Sequence, residues 1–250
     1  KTTHTIPDSL AIVIKTSEGN IVYTGDFKFD QSAAVEYQTN FGRIADVGED
    51  YVLALLSDSS DAESTVENVS DRKVAETMLD TFLNAEGRII VACVASNILR
   101  IQQVINAAYE SGRKIFLTGS ELEEIVNIAL SLNKLTVPDK DLIVSFNQMK
   151  KLEDHELVIL ETGNAGEPIK ALQKMALGRH RQVNLHEGDL VYIATTPSVA
   201  METQIARTKD LIYRADAEVF EMANSKKSSG HATPNDLKLM LNLLQPTFFI

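Results

Sequence analysis

The apolar residues of this chain alternate between short continuous runs and repeats at helical spacing. The continuous runs predict strands at residues 51–56, 88–94, 114–117, 142–146, 156–160, 190–194 and 217–220. The helical repeats predict helices at residues 71–85, 97–110, 120–132 and 200–214, with a further one beginning near Pro168. Strands that are apolar throughout and alternate with helices are typical of parallel sheets. The pattern therefore predicts an α/β fold with a mostly parallel sheet and helices on both faces.

The two ends of the chain have a different pattern. Strands at 10–16 and 21–27 are separated by a short polar turn, which predicts a β-hairpin. Near the other end, Thr233 followed by Pro234 predicts the start of a helix, and the residues after Pro246 predict a strand. The sequence thus predicts a β-rich piece, then an α/β domain, then a final helix and strand.

The composition is that of an ordinary folded protein, with 44% hydrophobic and 24% charged residues. The formal net charge of −11 argues against non-specific electrostatic binding of nucleic acid over the whole surface. Three short basic segments could still form a local binding groove, or could simply be solvated surface: 150–151, 179–181 and 226–227.

Cysteine content and hydropathy bear on where the protein works. Cys93 is the only cysteine and lies in an apolar run, so we expect a packed thiol and a reducing compartment. No apolar run approaches the ~20 residues of a membrane-spanning helix, so we expect no membrane association. These features predict a cytoplasmic protein. The chain begins without methionine and ends within a predicted strand, which suggests a fragment of a longer protein.

Three polar side chains, those of His4, Asp26 and Asp58, lie close to the ends of predicted strands. Catalytic and metal-binding residues gather at such positions in sheet proteins. Turn formation is the alternative, since Asp and Ser side chains hydrogen-bond to loop backbone. In the predicted hairpin Asp26 lies opposite Ala11, so His4 reaches Asp26 only if the segment around Pro7 folds back.

His231 lies two residues before the predicted N-cap of the last helix. The free amides and macrodipole of a helix N-terminus favour an anion such as phosphate, and Gly230 leaves the approach uncrowded. An imidazole at that place can donate a proton to a leaving oxygen. The alternative is a surface or packing histidine without a function.

The remaining motifs are less informative. The turn TGNAGEP (162–168) has two glycines but matches neither GxGxxG nor GxxxxGK[ST], and a Rossmann-like nucleotide-binding domain stays an alternative. The sequence contains no CxxC pair, no Gly-x-Ser-x-Gly elbow and no HExxH. His155, His180 and His186 have polar neighbours in sequence and are interpreted as surface residues.

Six segments occur in a fixed order: HTIPDS (4–9), GDFKFD (25–30), SDSS (57–60), ASNILRIQQV (95–104), TGNAGEP and SGHA (229–232). Taken in that order they resemble the ribonuclease J family, the β-CASP nucleases of the metallo-β-lactamase superfamily. The resemblance covers essentially the whole chain. It implies a partial metallo-β-lactamase domain at 1–68, a Rossmann-like β-CASP domain at 69–228 and a helix and strand returning to the first domain at 229–250.

The resemblance also implies a chemistry. Ribonucleases J are two-metal hydrolases, using zinc or else manganese or magnesium, that cut RNA as 5′-to-3′ exonucleases and as endonucleases. Carried over by motif, His4 is a metal ligand and Asp26 bridges the two metals. Asp58 and His231 are the implied catalytic residues, with His231 next to the scissile phosphate and oriented by Asp58. Contacts to RNA or phosphate are implied for Ser57, Ser59, Ser229 and Gly230.

Departures from the family pattern leave two functions open. The H-x-H-x-D-H and P-[VI]-H-G-E ligand segments would lie outside these 250 residues, so we expect a catalytically incomplete fragment that holds no metal alone. Leu99, GSEL (119–122) and TPSVAME (196–202) stand where more active members have His, G-R-S-M and S-P-x-P-G-N-E. The alternative is therefore a non-catalytic, RNA-binding scaffold that pairs with an active ribonuclease J paralogue, in a homo- or hetero-oligomer.

Overall fold

The computed structural model describes residues 1–119, 122–163, 166–194, 201–220, 226–227 and 229–250. Contacts divide the chain into a first unit, Lys1–Val74 with Ser225–Ile250, and a second unit, Ala75–Asn224. The domain boundaries expected from the sequence, after residues 68 and 228, lie near these divisions and stay a prediction. Within the described part of the chain, no helix combines the length and the apolar character needed to cross a bilayer.

The strands and helices are numbered in chain order. The strands are β1 (Ile12–Thr16), β2 (Gly19–Tyr23), β3 (Val52–Leu56), β4 (Glu67–Asn68), β5 (Ile89–Val94), β6 (Lys114–Thr118), β7 (Ile143–Val144), β8 (Leu157–Gly163), β9 (Leu190–Ile193), β10 (Glu218–Phe220), β11 (Lys226–Lys227) and β12 (Phe248–Phe249). The helices are α1 (Phe41–Glu49), α2 (Asp71–Asn84), α3 (Ile98–Glu110), α4 (Leu122–Ser131), α5 (Phe146–Met149), α6 (Glu167–Ala176), α7 (Glu202–Tyr213) and α8 (Pro234–Leu244).

The first unit is built on a mixed sheet with the strand order β1-β2-β3-β12. β1 and β2 pair antiparallel, as the predicted hairpin requires, whereas β3 is parallel to both β2 and β12. Apolar residues of the sheet, Val22 and Leu55 among them, pack against Leu237 and Met240 of α8. A second pair, β4 and β11, runs parallel and brings residues 67–68 beside residues 226–227.

Helix α1 was not predicted from the sequence. Gly42 and Gly48 lower its intrinsic helix propensity, which hides the apolar spacing of the segment. In the structure the Asn40 side chain caps the helix by accepting a hydrogen bond from the Arg43 amide. A Cβ atom at Gly48 would overlap the carbonyl oxygen of Leu243, so the glycine that weakens the local signal is what allows α1 to approach α8.

The second unit contains a six-stranded parallel sheet with the order β10-β9-β5-β8-β6-β7. Central strand β8 is buried along its whole length, as its apolar sequence predicts. Residues of α3 and α4 cover one face of the sheet, and residues of α6 and α7 cover the other. The prediction of an α/β fold with a mostly parallel sheet and helices on both faces is confirmed.

Glu161, near the end of β8, is an exception to this apolar interior. It is only 4% exposed, and burial raises the pKa of its carboxyl to about 7, while Thr118 and Lys174 oppose that rise. A buried carboxylate is disfavoured in the charged form. The folded protein therefore binds a proton at Glu161 over a pH range in which the unfolded chain has released it.

We expect the free energy of unfolding to decrease as the pH rises from about 5 to 8, by on the order of 2–3 kcal/mol from this group. The destabilisation is absent below the ordinary glutamate pKa of 4.5 and complete above the folded-state pKa of about 7. Glu161→Gln removes the titration, so urea unfolding of the variant should depend less on pH over this interval. The exposed Glu110→Gln is the control, and equal pH dependence in both variants would contradict the assignment.

Candidate active site

Asp58 and His231 form a hydrogen-bonded pair in the first unit, although they lie 173 positions apart in the chain. The Nδ1 atom of His231 is 2.8 Å from the Oδ2 atom of Asp58. A carboxylate can only accept a hydrogen bond, so Nδ1 carries the proton and Nε2 has the free lone pair. The Asp58 side chain is 3% exposed and that of His231 is 33% exposed, so the imidazole faces solvent with the carboxylate buried behind it.

The Asp58 carboxylate is held by several donors besides the imidazole. Its Oδ1 atom accepts hydrogen bonds from the amide of Ser60 at 3.0 Å and from its hydroxyl at 2.7 Å, and its Oδ2 atom accepts from the Phe27 amide at 3.4 Å. Burial alone would raise the pKa of Asp58, but the bonds from Ser60 and His231 outweigh burial and lower it. Asp58 is therefore a rigid anion that can orient its partner histidine.

The loop before α8 positions His231. Thr233 and Asp236 form a reciprocal capping box at the start of α8, and Pro234 occupies its first turn, as the sequence predicts. The His231 amide donates to the Ser229 hydroxyl at 3.1 Å, and Ser229 in turn is hydrogen-bonded through its backbone to the Asn68 side chain. These bonds fix the loop relative to β4.

His4 and Asp26 lie beside this pair because the N-terminal segment folds back. The Thr2 amide donates to the Ser9 carbonyl at 2.9 Å, and Thr3 forms an antiparallel bridge with Lys28. His4 Nε2 is consequently 3.9 Å from Asp26 Oδ2. The fold-back that the sequence analysis required is thus observed.

Contacts with the SGHA loop orient the His4 ring. Its Nδ1 atom is 3.0 Å from the carbonyl oxygen of Gly230, which can only accept, so Nδ1 donates and Nε2 faces Asp26. The centroids of the His4 and His231 rings are 5.8 Å apart. A Cβ atom at Gly230 would lie 2.9 Å from His4 Cε1, so this position requires glycine.

The side chains at this site fit a divalent metal ion. Ligand atoms of Asp26, Asp58 and His231 all lie within 4.8 Å of one another, and His4 approaches the same Asp26 carboxylate. Imidazole nitrogen with carboxylate oxygen is a donor set that zinc and manganese accept. Asp26 is 60% exposed and so is accessible, whereas Asp58 is already occupied by its hydrogen bonds.

The residues predicted to contact phosphate lie near this pair but differ in accessibility. Ser59 is exposed and Ser57 is partly buried, with the Ser57 hydroxyl donating to the Asp58 carbonyl at 3.2 Å. Ser229 is 4% exposed, and its hydroxyl accepts from the backbone of His231. Phosphate binding by these serines and by Gly230 stays a prediction.

Sequence reasoning missed the residues that support the pair. Ser60 belongs to the quoted SDSS segment, and an aspartate followed two residues later by serine is typical of a local side-chain turn. Thr24, whose hydroxyl accepts from the Asp58 amide at 3.1 Å, and Asn68 carry no such local signal. The GSEL and TPSVAME departures fall partly on residues 120–121 and 196–200, which lie outside the described residues.

Comparison with known proteins identifies the family. The profile described as "Ribonuclease J, beta-CASP domain" matches residues 86–212. Two curated proteins named Ribonuclease J 2 align over nearly the whole chain, one from Streptococcus pyogenes at 53% identity over 248 residues and one from Staphylococcus epidermidis at 42% over 251 residues. This chain belongs to the ribonuclease J family. The resemblance inferred from the six ordered segments is thereby confirmed.

The alignments cover 99% and 100% of this ribonuclease J chain but only 45% and 44% of those two relatives. The chain thus spans about half the length of the curated relatives it matches. A solved structure of a protein of unknown function from Enterococcus faecalis V583 aligns with all of this chain and 56% of its own, with a TM-score of 0.67 and 17% identity. At that identity the likeness establishes the fold alone.

Proposed function

We propose that the protein to which these residues belong is a metal-dependent ribonuclease that hydrolyses RNA phosphodiesters from the 5′ end and internally. Membership of the ribonuclease J family supports an RNA-processing nuclease. The observation that carries the assignment to this site is the 2.8 Å hydrogen bond from His231 to buried Asp58, which presents Nε2 to solvent. A cytoplasmic location belongs to the same proposal.

In this proposal His231 acts as the general acid or base at the scissile phosphate. The ionised Asp58 holds Nδ1–H, so proton transfer to and from the reacting oxygen occurs at Nε2. An orienting carboxylate behind a histidine also stabilises the positive charge that the ring acquires. Because the carboxylate is held by Ser60 as well, Asp58 keeps its position when the imidazole changes protonation state.

His4 and Asp26 are proposed as metal ligands, His4 through Nε2 and Asp26 through its carboxylate. Divalent metal ions, zinc or else manganese or magnesium, would supply an activated water and neutralise negative charge on the phosphate. Asp58 and His231 also lie close to Asp26, but they are hydrogen-bonded to each other, which leaves His4 and Asp26 as the proposed ligands among the described residues. Two ions need more ligands than this, so we expect these 250 residues alone to show negligible nuclease activity.

The test is cleavage of a 5′-monophosphorylated RNA by the full-length protein in manganese, magnesium or zinc. We expect degradation that stops after chelation and resumes when metal is added back. An RNA with a blocked 5′ end separates exonucleolytic from internal cleavage. A pure, folded protein that leaves both RNAs intact with every metal would contradict the enzyme proposal.

The second candidate is a scaffold that holds RNA and pairs with an active ribonuclease J paralogue. It is favoured by the GSEL and TPSVAME segments and by Leu99, which depart from the pattern of more active members. Co-purification with the paralogue, together with RNA binding but negligible cleavage by the pure protein, would support it. A cleavage rate equal to that of the paralogue would exclude it.

A further inference from the structure

A cavity of about 430 Å³ opens in the second unit where β6 and β8 end. These neighbouring parallel strands continue in opposite directions. β6 leads through α4, on one face of the sheet, to the edge strand β7, whereas β8 leads through α6, on the other face, across β5 to β9. Ligands of open α/β sheets bind in the crevice that such a reversal creates beyond the carboxyl ends of the strands.

The cavity contains a buried carboxylate with unused hydrogen-bonding capacity. Glu161 lines it, is 4% exposed, and its Oε2 atom has no hydrogen-bond partner among the described residues. The His180 Nε2 atom is 3.9 Å away, beyond hydrogen-bond distance, and burial lowers the pKa of that imidazole, which favours its neutral form. Unpaired buried polar atoms are rare in folded proteins, and one on a residue that lines a cavity indicates a ligand that supplies the missing donor.

Basic side chains line the cavity around Glu161. Lys170 and Lys174 follow one another at four-residue spacing on α6, and Arg181 lies on the loop after that helix. The Thr118 hydroxyl, at the end of β6, donates to Gln182 at 2.9 Å and ties the same loop to the sheet. The loop that carries Arg181 is therefore anchored next to Glu161.

A buried carboxylate next to basic side chains favours a ligand with an anionic group at one end and a hydrogen-bond donor at the other. Lys170, Lys174 and Arg181 supply three cations for a phosphate, although the Glu167 carboxylate also lines the cavity. The Glu161 carboxylate can accept hydrogen bonds from the exocyclic amino group of a nucleobase. The volume of about 430 Å³ lies within the range of small-molecule sites.

We propose that the cavity binds a nucleoside monophosphate whose base carries an exocyclic amino group. Its phosphate contacts Lys170, Lys174 and Arg181, and its amino group donates to the Glu161 carboxylate. The proposal shares no residue with the nuclease proposal, so either can fail without the other.

Calorimetric titration of this chain with CMP and UMP tests the idea, because these two nucleotides differ in an amino group and a carbonyl at the same ring position. At pH 8, above the folded-state pKa of about 7, Glu161 is ionised. We expect CMP to bind at least about tenfold more tightly than UMP, because the carboxylate repels the carbonyl oxygen. Glu161→Gln should reduce that ratio to about threefold or less, since an amide can donate to UMP.

A second variant separates the phosphate contacts from base recognition. Lys174→Ala should weaken CMP and UMP binding equally, by about fivefold or more, and leave their ratio unchanged. Glu110→Gln and Lys140→Ala, at exposed positions of the same unit, are matched controls that should bind like the parent chain. Four results would overturn the proposal: no binding of CMP, equal binding of CMP and UMP, equal binding of inorganic phosphate and CMP, or binding of a short RNA without binding of CMP.

Discussion

Replacing His231 by alanine in the full-length protein should lower kcat for RNA cleavage by about 10²–10⁴-fold, the range for loss of a general acid or base. KM should change little, because the imidazole acts on the reacting oxygen and phosphate binding relies on other groups. Removal of the ring also leaves Asp58 without its 2.8 Å partner. Single-turnover kinetics with 5′-labelled RNA measures the chemical step directly.

Asp58→Asn separates orientation from proton transfer. The amide keeps the shape of the side chain but can donate to His231 Nδ1, which favours the tautomer with its proton on Nε2. We therefore expect a large loss of kcat together with a changed pH–rate profile. His155→Ala, at an exposed histidine of the second unit, should leave the rate unchanged. A His231→Ala protein that cuts RNA at the parent rate would remove the histidine from the mechanism.

Replacing Lys28 by methionine should lower the free energy of unfolding by about 3–5 kcal/mol, because it removes the ammonium group that pairs with the buried Asp71 carboxylate. Lys28 Nζ lies 2.7 Å from Asp71 Oδ1, and the two side chains are 3% and 7% exposed. The Asp71 amide also donates to Asp30 at 2.8 Å, so the pair joins the GDFKFD segment to the start of α2. Urea denaturation of this chain and of the variant measures the change in the free energy of unfolding.

The exposed pair Lys15–Asp50 is a matched control, with an N···O distance of 3.3 Å and side chains 75% and 57% exposed. Lys15→Met should change stability by no more than about 1 kcal/mol. The double variant Lys28→Met with Asp71→Leu should recover most of the loss, since an apolar pair of similar volume can replace a buried ion pair. A loss from Lys28→Met no larger than that from Lys15→Met would show that the buried pair contributes little.

The same ion pair links stability to the candidate site. Lys28 is the bridge partner of Thr3, which precedes His4, and it follows Asp26 by two residues. We therefore expect Lys28→Met to disturb the spacing of His4 and Asp26 in addition to destabilising the first unit. Local sequence gives no indication of this coupling, because Asp71 is 43 positions from Lys28.

Interactions between residues close together in the chain explain which helices could be predicted from the sequence. The helix predicted at 97–110 is observed at Ile98–Glu110, where Asn97 caps it by accepting from the Arg100 amide. The start of α8 was predicted from Thr233 and Pro234, and the two residues of its capping box, Thr233 and Asp236, are only three positions apart. Such capping signals can be recognised in a sequence because the hydrogen-bond donor and acceptor lie within one helical turn of each other. Helix α1 was missed because its stability depends on the approach of Gly48 to α8.

The sequence by itself determined most strands and helices of the second unit and the parallel character of its sheet, although α5 begins at Phe146, where a strand was predicted. The ordered motifs predicted the residues of the candidate site. Only the tertiary structure decided that β8 inserts between β5 and β6, that Ser60 and Asn68 support the pair, and that Glu161 faces a basic cavity. These features depend on contacts between distant segments, 226 positions apart for His4 and Gly230. Such contacts follow from the burial of whole apolar faces, and no local pattern encodes them.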